Sequence, residues 1–305
     1  MTARARKRWV VREGDGATVG DILRRAAPND RDAISDGRVF AGRRRVASAE
    51  EPVRSGDEVT IADPIDADES VTVLARGEGW VAIDKPAGLP TIPDQAGAAH
   101  ALLARAARAL SLDPSRLHPT SRLDRDVSGV VVFALDPAAA DRLRLLREQH
   151  RYARRYLAIA ARRPSADAGS WAVPIGRAKN PHHRAANGLD PVPALTHYAV
   201  AGDAPPFALL ALSPVTGRTH QLRVHASHAG APLLGDRAYG APPRLTLPTG
   251  RVLSFDRIAL HAARVTLGDV VIESPLPAPL RAVWVALGGD DAAWEKALTW
   301  PLAAQ

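Results

Sequence analysis

Cysteine is absent from the 305 residues, which excludes disulfides, thiolate zinc sites and thiol catalysis. Long apolar runs are missing as well. No segment approaches the ~20 apolar residues that a membrane-crossing helix needs. The basic start, Met1 to Trp9, is not followed by the apolar stretch of a secretion signal. A soluble cytoplasmic protein is the expectation. Lysine is scarce: only Lys7, Lys85, Lys179 and Lys296 are present, although 40 basic residues stand against 33 acidic ones for a net charge of +7. Arginine therefore carries the surplus, and its planar guanidinium suits bidentate contacts to phosphate. Alanine is abundant too, and a genome rich in G and C raises alanine and arginine together, so composition alone leaves the nucleic-acid reading open.

What is present describes a folded chain. A hydrophobic content of 46% with 24% charged residues is ordinary for a globular protein despite 25 prolines. The length allows one large domain and one small one. No internal repeat or low-complexity tract is visible. The acidic stretch Asp63-Pro64-Ile65-Asp66-Ala67-Asp68-Glu69 reads as a linker, dividing a small module, 1–64, from a larger domain, 65–305. Within the module, Thr18 to Ala26 suits a short helix. The segments Gly37 to Gly42 and Gly56 to Ile61 suit strands joined by turns.

Beyond the linker, strand-like runs at Val71–Leu74, Trp80–Ile83, Val130–Ala134, Tyr156–Ala160 and Ala208–Leu212 alternate with helical stretches, so the class is mixed α and β. Asp136 can cap a helix whose first turn takes Pro137 and whose Leu143 and Leu146 share a face. A second helix is expected through Ala98–Leu110. The segment Arg177 to Pro193, rich in Pro, Asn, His and Arg, reads as a loop, equally suited to RNA contact or to disorder.

Three segments carry chemistry. The first, His118-Pro119-Thr120-Ser121-Arg122-Leu123-Asp124-Arg125-Asp126-Val127-Ser128-Gly129, is a polar loop feeding the apolar run Val130–Ala134. A carboxylate at the rim of a buried strand is held firmly while meeting a ligand, and Asp124 is the candidate. Asp124 and Asp126, two apart on an extended loop, would point to opposite sides, which disfavours a paired-carboxylate glycosidase. The second segment is Arg154-Arg155-Tyr156-Leu157-Ala158. The third runs from Thr216 through Gly217-Arg218-Thr219-His220-Gln221-Leu222-Arg223-Val224-His225. His220, His225 and His228 could bring imidazoles together, but no carboxylate cluster accompanies them, and a metal is not expected.

Arg-Leu-Asp-x-x-x-Ser-Gly before an apolar strand resembles the catalytic motif of the RluA-type RNA pseudouridine synthases. The second and third segments are similar to that family's basic-x-Tyr-x-Ala strand and its arginine motif. The match continues in order through Gly230, Pro232, Gly235-Asp236 and Tyr239-Gly240, and Asp84-Lys85-Pro86-Ala87-Gly88 resembles its Lys-Pro-x-Gly turn. Weaker similarity in Leu260-His261-Ala262 and Ser274-Pro275-Leu276-Pro277 leaves only the last twenty or so residues unclaimed. The amino-terminal module more loosely resembles the alpha-L RNA-binding domain of a ribosomal small-subunit protein, in which Arg43, Arg44 and Arg45 would face phosphates.

The resemblance implies that Asp124 is the catalytic carboxylate, that Tyr156 packs on the target base and moves a proton, and that Arg223 pairs with Asp124. Arg122, Arg218 and His220 are the implied RNA contacts. No cofactor or metal is implied, and the partner is ribosomal or transfer RNA acted on by a monomer. Asp124 could attack C1′ or remove the ribose 2′-proton to give a glycal; sequence leaves both open. Tyr152 matches nothing in the pattern and reads as core. Two departures, Ser121 for the usual histidine and Val127 for the usual threonine, bear on the subgroup, and His118 stands close enough to compensate. The implied fold is a long, mainly antiparallel bent sheet with flanking helices beside the small module. A catalytically silent RNA-binding protein on the same scaffold and a nucleoside hydrolase are the alternatives.

Overall fold

A computed structural model describes residues 6–28, 33–34, 38–42, 44–62, 71–93, 101–242, 244–247 and 250–301. The chain separates into two units: Met1–Val71 with Leu89–Pro114, and Thr72–Gly88 with Ser115–Gln305. The expected linker, 63–69, lies outside the described residues.

The first unit holds β1 (Arg6–Val10), α1 (Val19–Ala26), β2 (Val39–Ala41), β3 (Arg44–Arg45), β4 (Glu58–Ala62) and α2 (Leu102–Leu110). Its strands form an antiparallel sheet in the order β1-β4-β2-β3. Helix α1 begins where it does because Thr18 and Asp21 make a capping box: the Thr18 hydroxyl accepts from the Asp21 amide, and the Asp21 carboxylate accepts from the Thr18 amide at 3.0 Å. Val19 and Ile22 on that helix pack with Val39, Val46, Val53, Val59 and Ile61.

The second unit runs through β5 (Thr72–Gly77), β6 (Trp80–Lys85), β7 (His118–Pro119), β8 (Ser128–Ala134), α3 (Pro137–Glu148), β9 (Tyr152–Ala160) and β10 (Ala168–Trp171). It continues with β11 (Ile175–Arg177), β12 (Arg184–Ala186), β13 (Leu189–Val192), β14 (Thr196–Ala204), β15 (Phe207–Pro214) and α4 (Gln221–His228). It ends with β16 (Arg244–Thr246), β17 (Val252–Ser254), β18 (Leu260–Leu267), β19 (Val270–Glu273), α5 (Ala278–Ala286) and α6 (Ala293–Thr299). Ten strands make one sheet in the order β10-β14-β15-β9-β18-β8-β6-β5, with β19 beside β18 and β7 beside β8.

Among the described residues that sheet is antiparallel except where β18 meets β8, with His261 opposite Ser128 and Ala262 opposite Gly129. All seven residues of β8 are buried, as an apolar run covered on both faces should be. On one side α3 contributes Ala139 and Leu143 to a cluster with Val130, Val132 and Val265. In a second cluster, Trp284 of α5 and Trp294 and Ala297 of α6 cover Leu157, Ile159 and Leu209. As expected, Asp136 caps α3, accepting from the Ala139 amide at 2.7 Å, with Pro137 in the first turn.

Gly129 is required by this packing. Its φ is +120°, and a Cβ there would lie 2.2 Å from the backbone oxygen of Ala262. Gly129→Ala should therefore cost about 3 kcal/mol or more, because strain and a backbone clash act together. Denaturant unfolding checks this, and a loss under about 1 kcal/mol would contradict it.

The expected loop at Arg177–Pro193 is instead ordered as the three-stranded sheet β12-β11-β13. Strands of three or four residues are too short to display a period-2 pattern, so composition alone suggested a loop. Among the described residues no helix is long and apolar enough to cross a membrane.

Candidate functional site

The loop entering β8 is not extended at Asp124. The Val127 amide donates to the Asp124 carbonyl at 3.1 Å, closing a tight turn between buried Leu123 and Val127. This corrects the expectation of an extended backbone at Asp124; both Asp124 and Asp126 also act electrostatically on Lys85. Lys85 ends β6 and is 0% exposed. Its ammonium donates to the carbonyls of Pro86 at 2.9 Å and Arg125 at 3.0 Å, and the Gly88 amide donates to Arg125 as well. The Lys-Pro-x-Gly turn thus pins the Asp124 turn from beneath. Burial pulls the Lys85 pKa down to about 7, opposed by Asp126 and Asp124. Burial also raises that of Asp126, against the pull of Arg125, Arg223 and Lys85.

Arg223 reaches Asp124 from α4, its Nη1 donating to Oδ2 at 2.8 Å. The other edge of the guanidinium forks onto Asp236, Nε to Oδ2 at 2.7 Å and Nη2 to Oδ1 at 2.8 Å. Burial lowers the Arg223 pKa, but the two carboxylates outweigh burial and the net shift is upward, so the cation persists. The Tyr239 ring covers the guanidinium at 4.8 Å. The start of α4 is held by Gln221, whose Oε1 accepts from the Thr216 hydroxyl and the Arg218 amide and whose Nε2 donates to the Leu195 carbonyl and to Thr196.

His220, left-handed at φ +57°, precedes that helix. Its Nδ1 lies 2.7 Å from the Tyr239 hydroxyl and its Nε2 lies 3.9 Å from Asp124 Oδ2. Burial lowers its pKa, against the opposing pull of Asp124, so the imidazole is neutral at neutral pH. His225 is structural instead, with Nδ1 at 2.9 Å from the Thr196 hydroxyl and Nε2 at 3.0 Å from the Val173 carbonyl. Among the described residues no group of three potential metal ligands clusters.

The sheet brings Tyr156 to the same end. It sits opposite Ala262 on β18, which in turn sits opposite Gly129 on β8, and it feels the charge of Asp124. Its phenol is buried, which raises its pKa, and makes no hydrogen bond with a described residue. Tyr152 differs: its hydroxyl lies 2.9 Å from Thr120 Oγ1 and Arg147 covers its ring at 4.6 Å. The first hydroxyl is available to a ligand, and the second is committed to the core.

Sequence reasoning gave no role to a buried polar chain behind the turn. Ser128 Oγ lies 2.8 Å from His261 Nδ1 and accepts from Arg257 Nη2 at 2.7 Å. His261 Nε2 lies 3.3 Å from the Ser274 carbonyl, and the Ser274 hydroxyl donates to Asp84 at 2.7 Å. Burial drives the His261 pKa down to about 4. An unfolded imidazole titrates near 6.5, so between these values the unfolded chain binds the extra proton and stability falls as pH drops from about 6.5 toward about 4. His220 and His225, lowered too, act in the same sense; Asp84 and Asp126, raised, act oppositely. Urea unfolding at about pH 7 and about pH 5 should show His261→Gln losing less stability on acidification than the wild type, and equal losses would contradict this.

The remaining expected residues are scattered. Arg122 is exposed and makes no hydrogen bond or ion pair with a described residue. Arg218 is exposed, its Nε donating to the Pro193 carbonyl at 3.0 Å. Arg44 is exposed and ion-paired to Glu51. Arg43 and the Arg45 side chain lie outside the described residues.

A family model described as RNA pseudouridylate synthase matches residues 79–228. The ribosomal large subunit pseudouridine synthase D of Vibrio parahaemolyticus serotype O3:K6 is 30% identical over 280 residues, covering 84% of this chain and 85% of its own. Its namesake from Nitrosomonas europaea is 34% identical over 261 residues, 79% of this chain and 74% of its own. The solved structure of human RNA pseudouridylate synthase domain containing 4 superimposes with a TM-score of 0.58 at 27% identity, covering 72% of this chain and 93% of that one.

Proposed function

This chain belongs to the RNA pseudouridylate synthase family and is an isomerase acting on RNA, and we propose that Asp124 is the carboxylate that opens the glycosidic bond, with Arg223 and Tyr156 beside it. The observation that carries this reading is the 2.8 Å contact from Arg223 Nη1 to Asp124 Oδ2. It sets a buried cation directly against a carboxylate at the rim of a buried strand.

The reaction balances within the substrate. The N1–C1′ bond breaks, the uracil turns, and C5 bonds to C1′; the C5 proton departs and N1 gains one, so no co-reactant is consumed. Asp124 serves either route. Its oxygen can attack C1′ and later leave as C5 arrives, or it can take the C2′ proton to give a glycal. Tyr156 stacks on the turning base, and its hydroxyl, kept protonated by burial, relays the C5 proton. Flipping the nucleotide out of its stack costs a few kcal/mol, offset by that stacking and by phosphate contacts from Arg122 and Arg218. His220 also contacts the RNA.

The substrate proposed is large-subunit ribosomal RNA, supported by the names of the relatives, with transfer RNA the second possibility. The protein works as a cytoplasmic monomer, and the amino-terminal module adds RNA contacts through Arg43, Arg44 and Arg45. Release of tritium from ribosomal RNA carrying uridine tritiated at C5 tests the activity. Wild type should release it as pseudouridine forms. Free uracil would point to hydrolysis, and salt-sensitive binding without release would point to a silent scaffold.

A further inference from the structure

The Tyr239 hydroxyl accepts a hydrogen bond from the Arg184 amide at 2.9 Å. Its own proton is left free to donate to His220 Nδ1, 2.7 Å away, and we take the pair in that sense. That arrangement puts the single imidazole proton on Nε2, the nitrogen 3.9 Å from Asp124 Oδ2. The separation is too long for a direct hydrogen bond. It does fit a third atom: an oxygen ~2.8 Å from each would complete both contacts at normal length. Such an oxygen must donate to the carboxylate and accept from the imidazole, and among the groups of a nucleotide a hydroxyl does both.

Within an RNA strand the 3′ and 5′ oxygens of ribose are esterified to phosphate, and the uracil carbonyls only accept. The 2′-hydroxyl is the sole group near C1′ that both donates and accepts. We propose that His220 and Asp124 together grip the ribose 2′-hydroxyl of the target uridine, with Tyr239 as a positioning residue that fixes the imidazole tautomer. This rests on the reading of Asp124 above and divides RNA-over-DNA selectivity between that carboxylate and one histidine. Docking the 2′-oxygen against Oδ2 brings C1′ and C2′ up to the same carboxylate, so the grip serves both routes. Arg184 comes from β12, so the sheet read from sequence as a loop anchors the relay through its backbone.

The test uses the full chain and two short synthetic RNA hairpins centred on the uridine that mapping identifies, one of them 2′-deoxy at that nucleotide alone. Stopped-flow anisotropy reads affinity before turnover. Two hydrogen bonds of ordinary worth imply that wild type prefers the ribo hairpin roughly thirtyfold. His220→Ala should reduce the preference to about fivefold, with Tyr239→Phe in between, since one bond to Asp124 remains. General damage to the fold would weaken both hairpins alike and leave the ratio intact. An unchanged ratio in His220→Ala, or near-equal binding of the two hairpins by wild type, overturns the proposal. Turnover that survives in Asp124→Asn would instead overturn the reading on which it rests.

Discussion

Asp124→Asn is expected to form pseudouridine on the order of 10⁴-fold more slowly than wild type while binding RNA within about threefold. The two side chains have nearly the same shape, and the amide oxygen can still accept from Arg223 Nη1, which now bonds Asp124 Oδ2 at 2.8 Å. Stability should hardly change, because Arg223 keeps its two bonds to Asp236. Lost is the charge that attacks C1′ or takes the C2′ proton. A neutral amide does neither, whereas positioning and base stacking persist, so the loss falls on kcat and not on affinity. Single-turnover kinetics with a parallel binding titration measure both quantities. A residual rate within about tenfold of wild type would mean that the carboxylate does not do the chemistry.

Arg223→Met should lower stability by about 3–5 kcal/mol as well as abolish activity. The reason lies in Asp236, which is 1% exposed and accepts two of the guanidinium's hydrogen bonds. Removing the cation strands a carboxylate in the interior, a larger cost than the lost contacts themselves. Arg223→Met combined with Asp236→Asn should recover part of the stability, since the neutral amide no longer demands a counter-charge. Activity should stay lost in the double variant, because Asp124 still lacks its partner. Denaturant unfolding of the four proteins in the cycle decides the matter. A single-variant loss below about 1 kcal/mol, or no recovery in the double variant, would contradict this account.

The helix after Asp136 and the strands at Trp80, Val130, Tyr156 and Ala208 were legible because apolar runs and capping residues are local signals. The order of the large sheet was not. Strand β18 sits between β8 and β9 although it lies more than a hundred residues further along the chain, and no local pattern encodes such a neighbour. The same holds for the site. Asp124, Tyr156 and Arg223 stood out through motif resemblance, yet Asp124 and Arg223 are 99 positions apart and only the fold joins them. Asp236 was visible as part of a Gly-Asp pair without a role, since its partner is set by how α4 turns back. Lys85 was visible as part of the Lys-Pro-x-Gly turn without a role, and its complete burial beneath the Asp124 turn is a tertiary fact. His261 and Arg257 escaped for the same reason: each acts through Ser128 on a strand far away in sequence.

The central claim is that this chain converts uridine to pseudouridine in RNA by means of Asp124. Pseudouridine mapping of ribosomal and transfer RNA from a deletion strain, complemented with wild type or with Asp124→Asn, tests it most directly. The account predicts that one or a few sites vanish with the deletion, return with wild type and stay absent with Asp124→Asn. Sites that return with Asp124→Asn would contradict it.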